Sequence, residues 1–368
     1  MKKFCSIYIH IPFCKSRCVY CGFFSTTKHE LAGAYVDAVC EEWQRRRGEL
    51  REPVRTLYIG GGTPSQLAEP QLRQLLETLT ATLDAATLEE VTIECNPDDV
   101  TETLAKLLAT LPVNRVSMGA QTFSDERLRF LHRRHNAGQV GQAVRRLRAA
   151  GIGNISIDLM YGFPQETLAD WHGDIDAALA LDVEHLSAYA LMYEEGTPLY
   201  AMLQRGTIAE LDEELCRQMY YDLEDRLTAA GYEHYELSNF ARPGFRSRHN
   251  SSYWNQTPYV GLGAGAHSFD GRCRSWNVDD VAGYIRGDEG GSETLDAPTR
   301  YNDLVMTALR TCEGLDLSAL TAAQRAYCLR MARQYIDSGL LEVHDGRLRL
   351  RREGLFVSDM VMCDLMAC

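Results

Sequence analysis

The sequence predicts an α/β protein: a partial (β/α)6 barrel followed by a smaller C-terminal α+β domain of winged-helix-like form. Six short strand-like runs alternate with amphipathic helical stretches, which favours parallel strands joined by right-handed crossovers. Near the end of the chain, an Asp-Gly pair separates two short apolar runs, a pattern typical of a β-hairpin. We therefore expect a barrel over residues 1–235, a loop-rich segment and linker over 236–298, and the C-terminal domain over 299–368.

The predicted elements follow one another in a regular order. The strand-like runs are residues 6–10, 56–59, 91–94, 115–118, 155–159 and 186–190. The helical stretches carry apolar residues at i, i+3 and i+4 spacing and cover residues 31–47, 69–83, 101–111, 140–150 and 168–181. Residues 341–343 and 348–350 form the two arms of the terminal hairpin. Each of the first five barrel strands is thus followed by a helix that can cover it.

Composition excludes several classes of protein. The net charge of −13 argues against a nucleic-acid surface, and the basic runs at 45–47 and 145–148 fit solvated helix faces. No apolar run approaches the length of a membrane span. The residues before the first motif are too few for an export signal. We expect a cytoplasmic protein whose 12 cysteines are mostly reduced.

Polar and glycine residues collect where the predicted strands end. A glycine-rich turn at 60–64 follows the second strand, and Glu94, Gln121 and Asp158 follow or end the next three. A β/α barrel builds its site from the carboxyl ends of several strands. Any one of these residues alone would fit a turn or a cap, but together they predict a site.

Three cysteines directly follow the first strand. Cys14, Cys18 and Cys21 have the spacing C-x3-C-x2-C. A zinc site would need a fourth ligand nearby, and no residue follows with finger-type spacing. Cysteine thiolates are the usual ligands of iron–sulfur clusters. Three protein ligands would leave one iron of a [4Fe–4S] cluster open.

This motif, with Tyr8–Phe13 before it and Gly60–Pro64 after it, resembles the radical SAM superfamily. The resemblance implies that the open iron chelates S-adenosylmethionine, and that an external electron donor reduces the cluster. Glu94–Pro97, Gly119–Phe123 and Asp158–Gly162 further resemble segments of the coproporphyrinogen dehydrogenase group. The first 200 residues carry this likeness.

The resemblance also implies which residues surround S-adenosylmethionine. Glu94 and Asp158 would bind ribose hydroxyls, and Arg133 would bind the carboxylate through paired hydrogen bonds. Met192 is a weaker candidate. The implied set is Tyr8, Tyr20, Gly62, Thr63, Pro64, Glu94, Gln121, Arg133 and Asp158.

Two features distinguish this chain from a typical member of the dehydrogenase group. Phe23 stands where that enzyme has a fourth cysteine, and only seven residues precede Tyr8, where the enzyme has a long arm. In contrast, residues 249–254 fit the H-N-x-x-Y-W motif of the heme-chaperone branch. This implies that heme binds with His249, and that the partners are client hemoproteins and a second copy of the chain in a homodimer.

Other functions stay open at this point. The chain could be an oxygen-independent coproporphyrinogen III oxidase or a radical SAM enzyme with another substrate. We assign no catalytic residue, and the residues leave open whether the protein is an enzyme. On residue chemistry alone, His249 could equally form hydrogen bonds within a loop while Tyr253 and Trp254 lie in the core.

Overall fold

The computed structural model describes residues 3–367 and contains a twelve-stranded main sheet. Its centre is six parallel strands that hydrogen-bond in chain order. They are β1 (Cys5–Ile11), β2 (Val54–Gly61), β3 (Glu90–Cys95), β4 (Arg115–Gln121), β5 (Asn154–Tyr161) and β6 (His185–Ala190). The six predicted strands and the α/β fold class are confirmed.

Helices cover one face of these strands. They are α1 (Ala32–Arg46), α2 (Glu69–Thr80), α3 (Glu102–Thr110), α4 (Asp125–Phe130), α5 (Ala137–Ala149) and α6 (Leu168–Ala180). Alternate strand residues such as Ile7, Ile9 and Ile59 point toward the helices and are fully buried. The five predicted helices lie within a few residues of their expected positions. The two-turn α4 was not predicted, because six residues are too few to show a helical period.

Further strands extend the sheet beyond both ends of the barrel. After α7 (Pro198–Gln204) and α8 (Glu213–Ala229) come β7 (Glu233–Glu236), β8 (Asn239–Ala241), α9 (Arg248–Trp254), β9 (Tyr259–Leu262), β10 (His267–Phe269), β11 (Cys273–Trp276), α10 (Val281–Arg286) and β12 (Gly291–Thr294). The complete order is β12-β11-β10-β9-β1-β2-β3-β4-β5-β6-β8-β7. Strand β9 is parallel to β1, whereas β8 is antiparallel to β6.

This extension differs from the loop-rich segment and linker expected over residues 236–298, because its short strands are paired into the sheet. Strands of three or four residues contain too few alternations to give a period of two. Their glycines and aromatic residues therefore resemble loop composition, although they pair into a sheet. The proposed division of the chain into three segments remains a prediction.

The C-terminal residues form a second, smaller sheet with its own core. Its elements are α11 (Ala297–Ala308), β13 (Leu315–Asp316), α12 (Ala322–Asp337), β14 (Leu341–His344), β15 (Arg347–Leu350), α13 (Arg352–Leu355) and α14 (Ser358–Leu365). The three strands are antiparallel in the order β13-β15-β14. Asp345 and Gly346 join β14 to β15 with positive φ angles of 49° and 74°, as a tight hairpin requires. The predicted hairpin is confirmed. Among residues 3–367, no helix is both long and apolar enough to cross a membrane.

A buried carboxylate fastens the β9–β12 extension to the barrel. Glu42 of α1 is 3% exposed. Its Oε2 accepts hydrogen bonds from the backbone N–H of Gly263, at 3.0 Å, and from the Tyr284 hydroxyl. Its Oε1 accepts from Asn277 Nδ2 and Arg46 Nη1, each at 2.9 Å. Because a buried charge is stable only when it is well paired, this side chain holds the extension in one position.

Replacing Glu42 by alanine leaves these donors without their acceptor. We expect Glu42→Ala to lower the free energy of unfolding by about 3 kcal/mol, measured by chemical denaturation. The matched control is Glu41→Ala, since Glu41 is exposed on the same helix and its loss is expected to cost less than about 0.5 kcal/mol. Equal effects of the two substitutions would contradict this account.

Candidate functional site

The three-cysteine loop leaves the carboxyl end of β1 and closes on itself. Its two ends are joined by hydrogen bonds from Cys14 N to Thr26 O, at 2.9 Å, and from Thr26 N to Pro12 O, at 2.7 Å. A further bond, from Gly62 N to Ile11 O at 2.8 Å, fixes the neighbouring glycine-rich turn against the start of the loop. The cysteines therefore lie at the edge of the sheet where the strands end.

A small core of its own anchors the far side of the loop. Val19 is buried with Leu131, Phe163 and Leu199. Its backbone N–H donates to Leu131 O at 3.2 Å, and its carbonyl accepts from Leu199 N at 2.9 Å. Tyr20 packs against the same cluster, and burial raises the pKa of its hydroxyl. The loop is thus held by hydrogen bonds at its base and by this packed cluster at its far side.

A chain of side-chain contacts links two of the cysteines across three strand ends. Thr63 Oγ1 lies 3.4 Å from Cys14 Sγ and 3.4 Å from Asn96 Nδ2. Arg133 Nη2 donates to Asn96 Oδ1 at 2.8 Å, and its Nη1 lies 3.6 Å from Cys18 Sγ. The thiols are therefore positioned by β2, β3 and the segment after β4 as well as by their own loop.

The electrostatic setting suits thiolate ligands that are shielded from water. Burial raises the pKa of the Cys14 and Cys21 thiols, while the guanidinium groups of Arg133 and Arg134 favour the Cys14 thiolate. Among residues 3–367, no three His, Cys, Asp or Glu side chains converge closely enough to hold one metal ion. A cluster needs a wider spacing than a single ion, because each thiolate binds a different iron.

Gly62 leaves room beside the first thiol. A Cβ at this position would lie 2.7 Å from the carbonyl carbon of Pro12 and 3.0 Å from Cys14 Sγ. Only glycine permits the turn to approach the loop this closely. Thr63 and Pro64 follow and are buried. Three grouped thiols, nearby cations and this space fit an iron–sulfur cluster.

Two carboxylates face the interior of the barrel next to this turn. Glu94 accepts hydrogen bonds from the Tyr58 hydroxyl at 2.7 Å and from Gly61 N at 3.1 Å. Desolvation, with a smaller contribution from the charge of Asp158, raises the pKa of Glu94 to about 7. Desolvation likewise raises the pKa of Asp158 to about 6. Paired carboxyl groups in a partly buried cavity are suited to accept hydroxyl hydrogen bonds from a polar ligand.

The side chains of Gln121 and Arg133 lie close together beside Gly119, near the end of β4. Gln121 ends β4 with a positive φ of 67°, at a shift in the β4–β5 register. A Cβ added at Gly119 would lie 2.5 Å from Gln121 Nε2 and 3.1 Å from Arg133 Nη2. Arg133 also donates to the Gly119 carbonyl at 2.6 Å. A left-handed backbone at a residue other than glycine is often retained at functional sites.

Arg133 keeps one donor available. Its Nε is buried and has no hydrogen-bond partner among the residues that the structure describes. Since a buried donor without a partner is costly, this nitrogen fits an anionic ligand group such as a carboxylate. Tyr8, whose hydroxyl lies 3.1 Å from His10 Nδ1, lies at the β1 side of the cavity. These residues fit S-adenosylmethionine, which presents both a carboxylate and a ribose.

His249 lies at the floor of the barrel, not at the strand ends, and its ring centroid is 6.4 Å from that of Tyr8. It lies on α9 below the barrel, 1% exposed, and stacks on Tyr58 with ring centroids 4.9 Å apart. Its Nδ1 lies 2.8 Å from Thr56 Oγ1 and its Nε2 lies 2.9 Å from the Tyr253 hydroxyl. Because Thr56 donates its hydroxyl hydrogen to Ser6, Nδ1 donates to Thr56 and Nε2 accepts from Tyr253.

Burial, and then the charge of Arg115, lowers the pKa of His249 to about 3. The imidazole is therefore neutral, and both of its nitrogens are engaged within the protein. The two carboxylate oxygens of Glu90 accept from the backbone N–H groups of Arg248 and His249, at 2.8 and 3.0 Å. The guanidinium group of Arg310, two residues after α11, lies 5.3 Å from the centroid of the Trp254 ring. His249 is thus hydrogen-bonded within the protein, and its assignment to heme stays a prediction.

Sequence reasoning missed Tyr58 and Asn96. Tyr58 orients Glu94, and Asn96 bridges Thr63 and Arg133. Tyr58 alternates with Thr56 and Gly60 on the inward face of β2, and Asn96 directly follows β3, two residues after Glu94. Alternation along β2 and the polar position after β3 could have identified them. Met192 is 63% exposed after β6, on the surface of the molecule.

Family models match two parts of the chain. A model of the radical SAM superfamily matches residues 8–178, and a model of the HemN C-terminal domain matches residues 295–357. The first match covers the cysteine loop and the strand ends that carry Glu94, Gln121 and Asp158. The second covers most of the smaller sheet.

Whole-protein relatives extend this likeness. The heme chaperone HemW of Mycobacterium tuberculosis is 35% identical over 371 residues, covering 98% of this chain and 94% of that protein. HemW of Lactococcus lactis is 40% identical over 282 residues, covering 76% and 74%. The structure of coproporphyrinogen III oxidase (HemN) from Escherichia coli superposes with a TM-score of 0.85 at 22% identity, covering 100% of this chain and 91% of that one. This last likeness concerns the fold.

We expect Gly62→Ala to reduce the amount of cluster that the folded protein holds. The added methyl group would displace the cysteine loop, since it would meet Pro12 and Cys14 Sγ. Iron and sulfide per chain, measured after anaerobic reconstitution, should fall at least twofold. The control is Gly153→Ala, because Gly153 has no atom within 4 Å of an added Cβ and should hold the wild-type amount. Full iron content in Gly62→Ala would contradict this reading.

We expect Glu94→Gln to stabilise the ligand-free protein at pH 8 and to weaken its binding of S-adenosylmethionine. The folded carboxyl keeps its proton up to about pH 7, whereas an unfolded glutamate loses it near pH ~4.3. The contribution of protonated Glu94 to stability is therefore fully present below pH ~4.3, the pKa of the unfolded state. It is lost as the pH rises through about 7, the pKa of the folded state.

The glutamine variant avoids the cost of ionising the buried Glu94 carboxyl. Its free energy of unfolding should therefore be higher by about 1–2 kcal/mol at pH 8, with little change at pH 4. Chemical denaturation at both pH values and a ligand titration measure the two effects. Glu102→Gln, at an exposed position of α3, is the control. Loss of stability in Glu94→Gln at pH 8 would show that the carboxylate is structural.

Proposed function

Because this chain belongs to the radical SAM superfamily and, within it, to the family of the heme chaperone HemW, we propose that it binds heme and delivers it to hemoproteins. The observation that carries the proposal is the 35% identity to a protein named heme chaperone along 94% of that protein. A [4Fe–4S] cluster and S-adenosylmethionine are the further cofactors that we propose.

Residues of the barrel mouth support these two cofactors. Cys14, Cys18 and Cys21 would hold three irons of the cluster, which supplies electrons of low potential when bound. Arg133 would bind the carboxylate of S-adenosylmethionine through its free Nε. Glu94 and Asp158 would accept hydrogen bonds from the ribose hydroxyls.

The remaining proposed residues shape the pocket around that ligand. Tyr20 is packed beside the cysteines and excludes water from the cluster side. Tyr8 lines the β1 side, and Gln121 lines the β4 side in its strained backbone conformation. Gly62, Thr63 and Pro64 form the turn between the cluster loop and Glu94. No step of heme transfer requires any of these groups to change the heme covalently.

The second candidate is an oxygen-independent coproporphyrinogen III oxidase. The observation that favours it is the complete set of pocket residues, since Glu94, Asp158 and Arg133 would serve a reaction equally well. Against it, Phe23 is 70% exposed where the dehydrogenase group has a fourth cysteine. We therefore propose the carrier function and assign no catalytic residue.

Partners follow from the proposed function. A carrier needs client hemoproteins, an electron donor that reduces the cluster, and a surface for self-association, for which we propose a homodimer. We propose the cytoplasm as its location, because the eleven cysteines that the structure describes are all free, as a reducing compartment requires.

The experiment is a heme titration of the protein with its cluster reconstituted anaerobically. We expect uptake of about one heme per chain in the absorption spectrum, and transfer of that heme to an apo-hemoprotein. The triple variant in which Cys14, Cys18 and Cys21 are alanine should lack iron and sulfide. The control variant Cys363→Ala changes an exposed cysteine of α14 and should keep the cluster.

A parallel assay decides between the two candidates. The reconstituted protein, an electron donor and S-adenosylmethionine are incubated with coproporphyrinogen III. We expect no decarboxylated product. Product formed together with 5′-deoxyadenosine would establish the oxidase and overturn the carrier proposal, as would failure of the wild-type protein to bind heme.

A further inference from the structure

We infer that the heme iron is ligated by His267 on the β9–β12 extension, and that Trp276 packs against the macrocycle there. This inference rests on the proposed heme-carrier function and adds the site. His249, the histidine of the H-N-x-x-Y-W motif, then supports that site from below.

The geometry of His249 leaves it no nitrogen for iron. Both ring nitrogens have hydrogen-bond partners, Thr56 and Tyr253, and the side chain is 1% exposed. Ligation through Nε2 would require the Tyr253 hydroxyl to leave and α9 to move from the floor of the barrel. Glu90 opposes such a movement, because its carboxylate caps the first turn of α9.

The chain has ten histidines, and all of them lie among the residues that the structure describes. Only His132, His267 and His344 are exposed. Of these three, only His267 lies next to an aromatic ring: its centroid is 5.9 Å from that of Trp276, and the planes are tilted by 32°. Its side chain makes no hydrogen bond or ion pair with a described residue, so the imidazole nitrogens are available.

His267 and Trp276 lie on the concave side of the sheet. Tyr259 is in register with Ser6 of β1 and so shares the inward face of that strand. Phe269 pairs with Tyr259, and His267 pairs with Trp276 in the antiparallel ladder. Since paired residues point to the same side, the inward face of the barrel continues onto the extension.

This face is aromatic and partly accessible. Trp276 is 37% exposed, and one face of its indole covers Gly291, where an added Cβ would lie 2.5 Å from the ring. The missing side chain at Gly291 lets the indole lie flat on the sheet. Tyr259 and Phe269 follow at a centroid separation of 6.4 Å. A free imidazole beside flat apolar surface is the chemistry that an iron porphyrin requires.

Contacts connect this aromatic surface to the H-N-x-x-Y-W motif and to the cysteine loop. Tyr253, the partner of His249, packs edge-on against Tyr259 at 4.8 Å. On the other side, a Cβ at Gly265 would lie 3.4 Å from the ring of Phe24, which is three residues beyond Cys21. The H-N-x-x-Y-W helix therefore positions the strand beside the surface, and the cluster loop borders the turn that leads into His267.

The test is a heme titration of the full-length, cluster-reconstituted protein followed by absorption and EPR spectroscopy. We expect His267→Ala to weaken heme binding about tenfold or more and to remove the imidazole signature. His267→Tyr keeps a ligand and should bind heme with a phenolate signature instead. Trp276→Ala should weaken binding while leaving the signature unchanged. His344→Ala, at an exposed histidine of the terminal hairpin, is the matched control and should behave as wild type.

Three outcomes of this experiment have different meanings. If the wild-type protein binds heme and His267→Ala and His267→Tyr keep its affinity and its spectrum, this inference is overturned and the carrier function stands. Loss of the imidazole signature in a folded His249→Ala protein, with the signature kept in His267→Ala, overturns it in favour of the motif histidine. If the wild-type protein takes up no heme, the proposed function fails, and the inference fails with it.

Discussion

The alternation of side chains along six parallel strands is the constraint on which the rest of the structure depends. Residues such as Ile7, Ile9 and Leu57 point outward and are buried under helices, so their neighbours must point into the barrel. Those neighbours are polar in this chain. The barrel therefore has an interior that can bind a polar ligand, and its stability comes from the outer layer between strands and helices.

Shared contacts at the mouth of the barrel connect the cysteine loop to the polar pocket. Thr63, Asn96 and Arg133 link the thiols of Cys14 and Cys18 across three strand ends. The Nε of the same Arg133 is buried and has no hydrogen-bond partner within residues 3–367. Burial raises the pKa values of Glu94 and Asp158, so their ionisation costs free energy in the folded protein. A bound ligand that donates hydrogen bonds to both carboxylates would offset that cost.

At the floor of the barrel, the H-N-x-x-Y-W motif has a structural role in addition to the heme binding predicted for it. Both ring nitrogens of His249 are used within the protein, and its partner Tyr253 packs against Tyr259 of the extension. A substitution at His249 would therefore change a distant surface through α9 and β9. A substitution in this motif can therefore change ligand binding even where the substituted residue does not contact the ligand.

The sequence by itself determined the barrel, the cysteine loop and the strand-end residues, because strand periodicity, cysteine spacing and glycine-rich turns are local patterns. Glu94, Gln121 and Asp158 could be placed together from these patterns, since parallel strands bring their carboxyl ends to one edge. Only the tertiary structure decided that β9 pairs with β1 and that strands within residues 233–294 extend the sheet, because such short strands have no measurable period. It also decided the hydrogen-bond partners of His249, which depend on Thr56, 193 residues away in sequence.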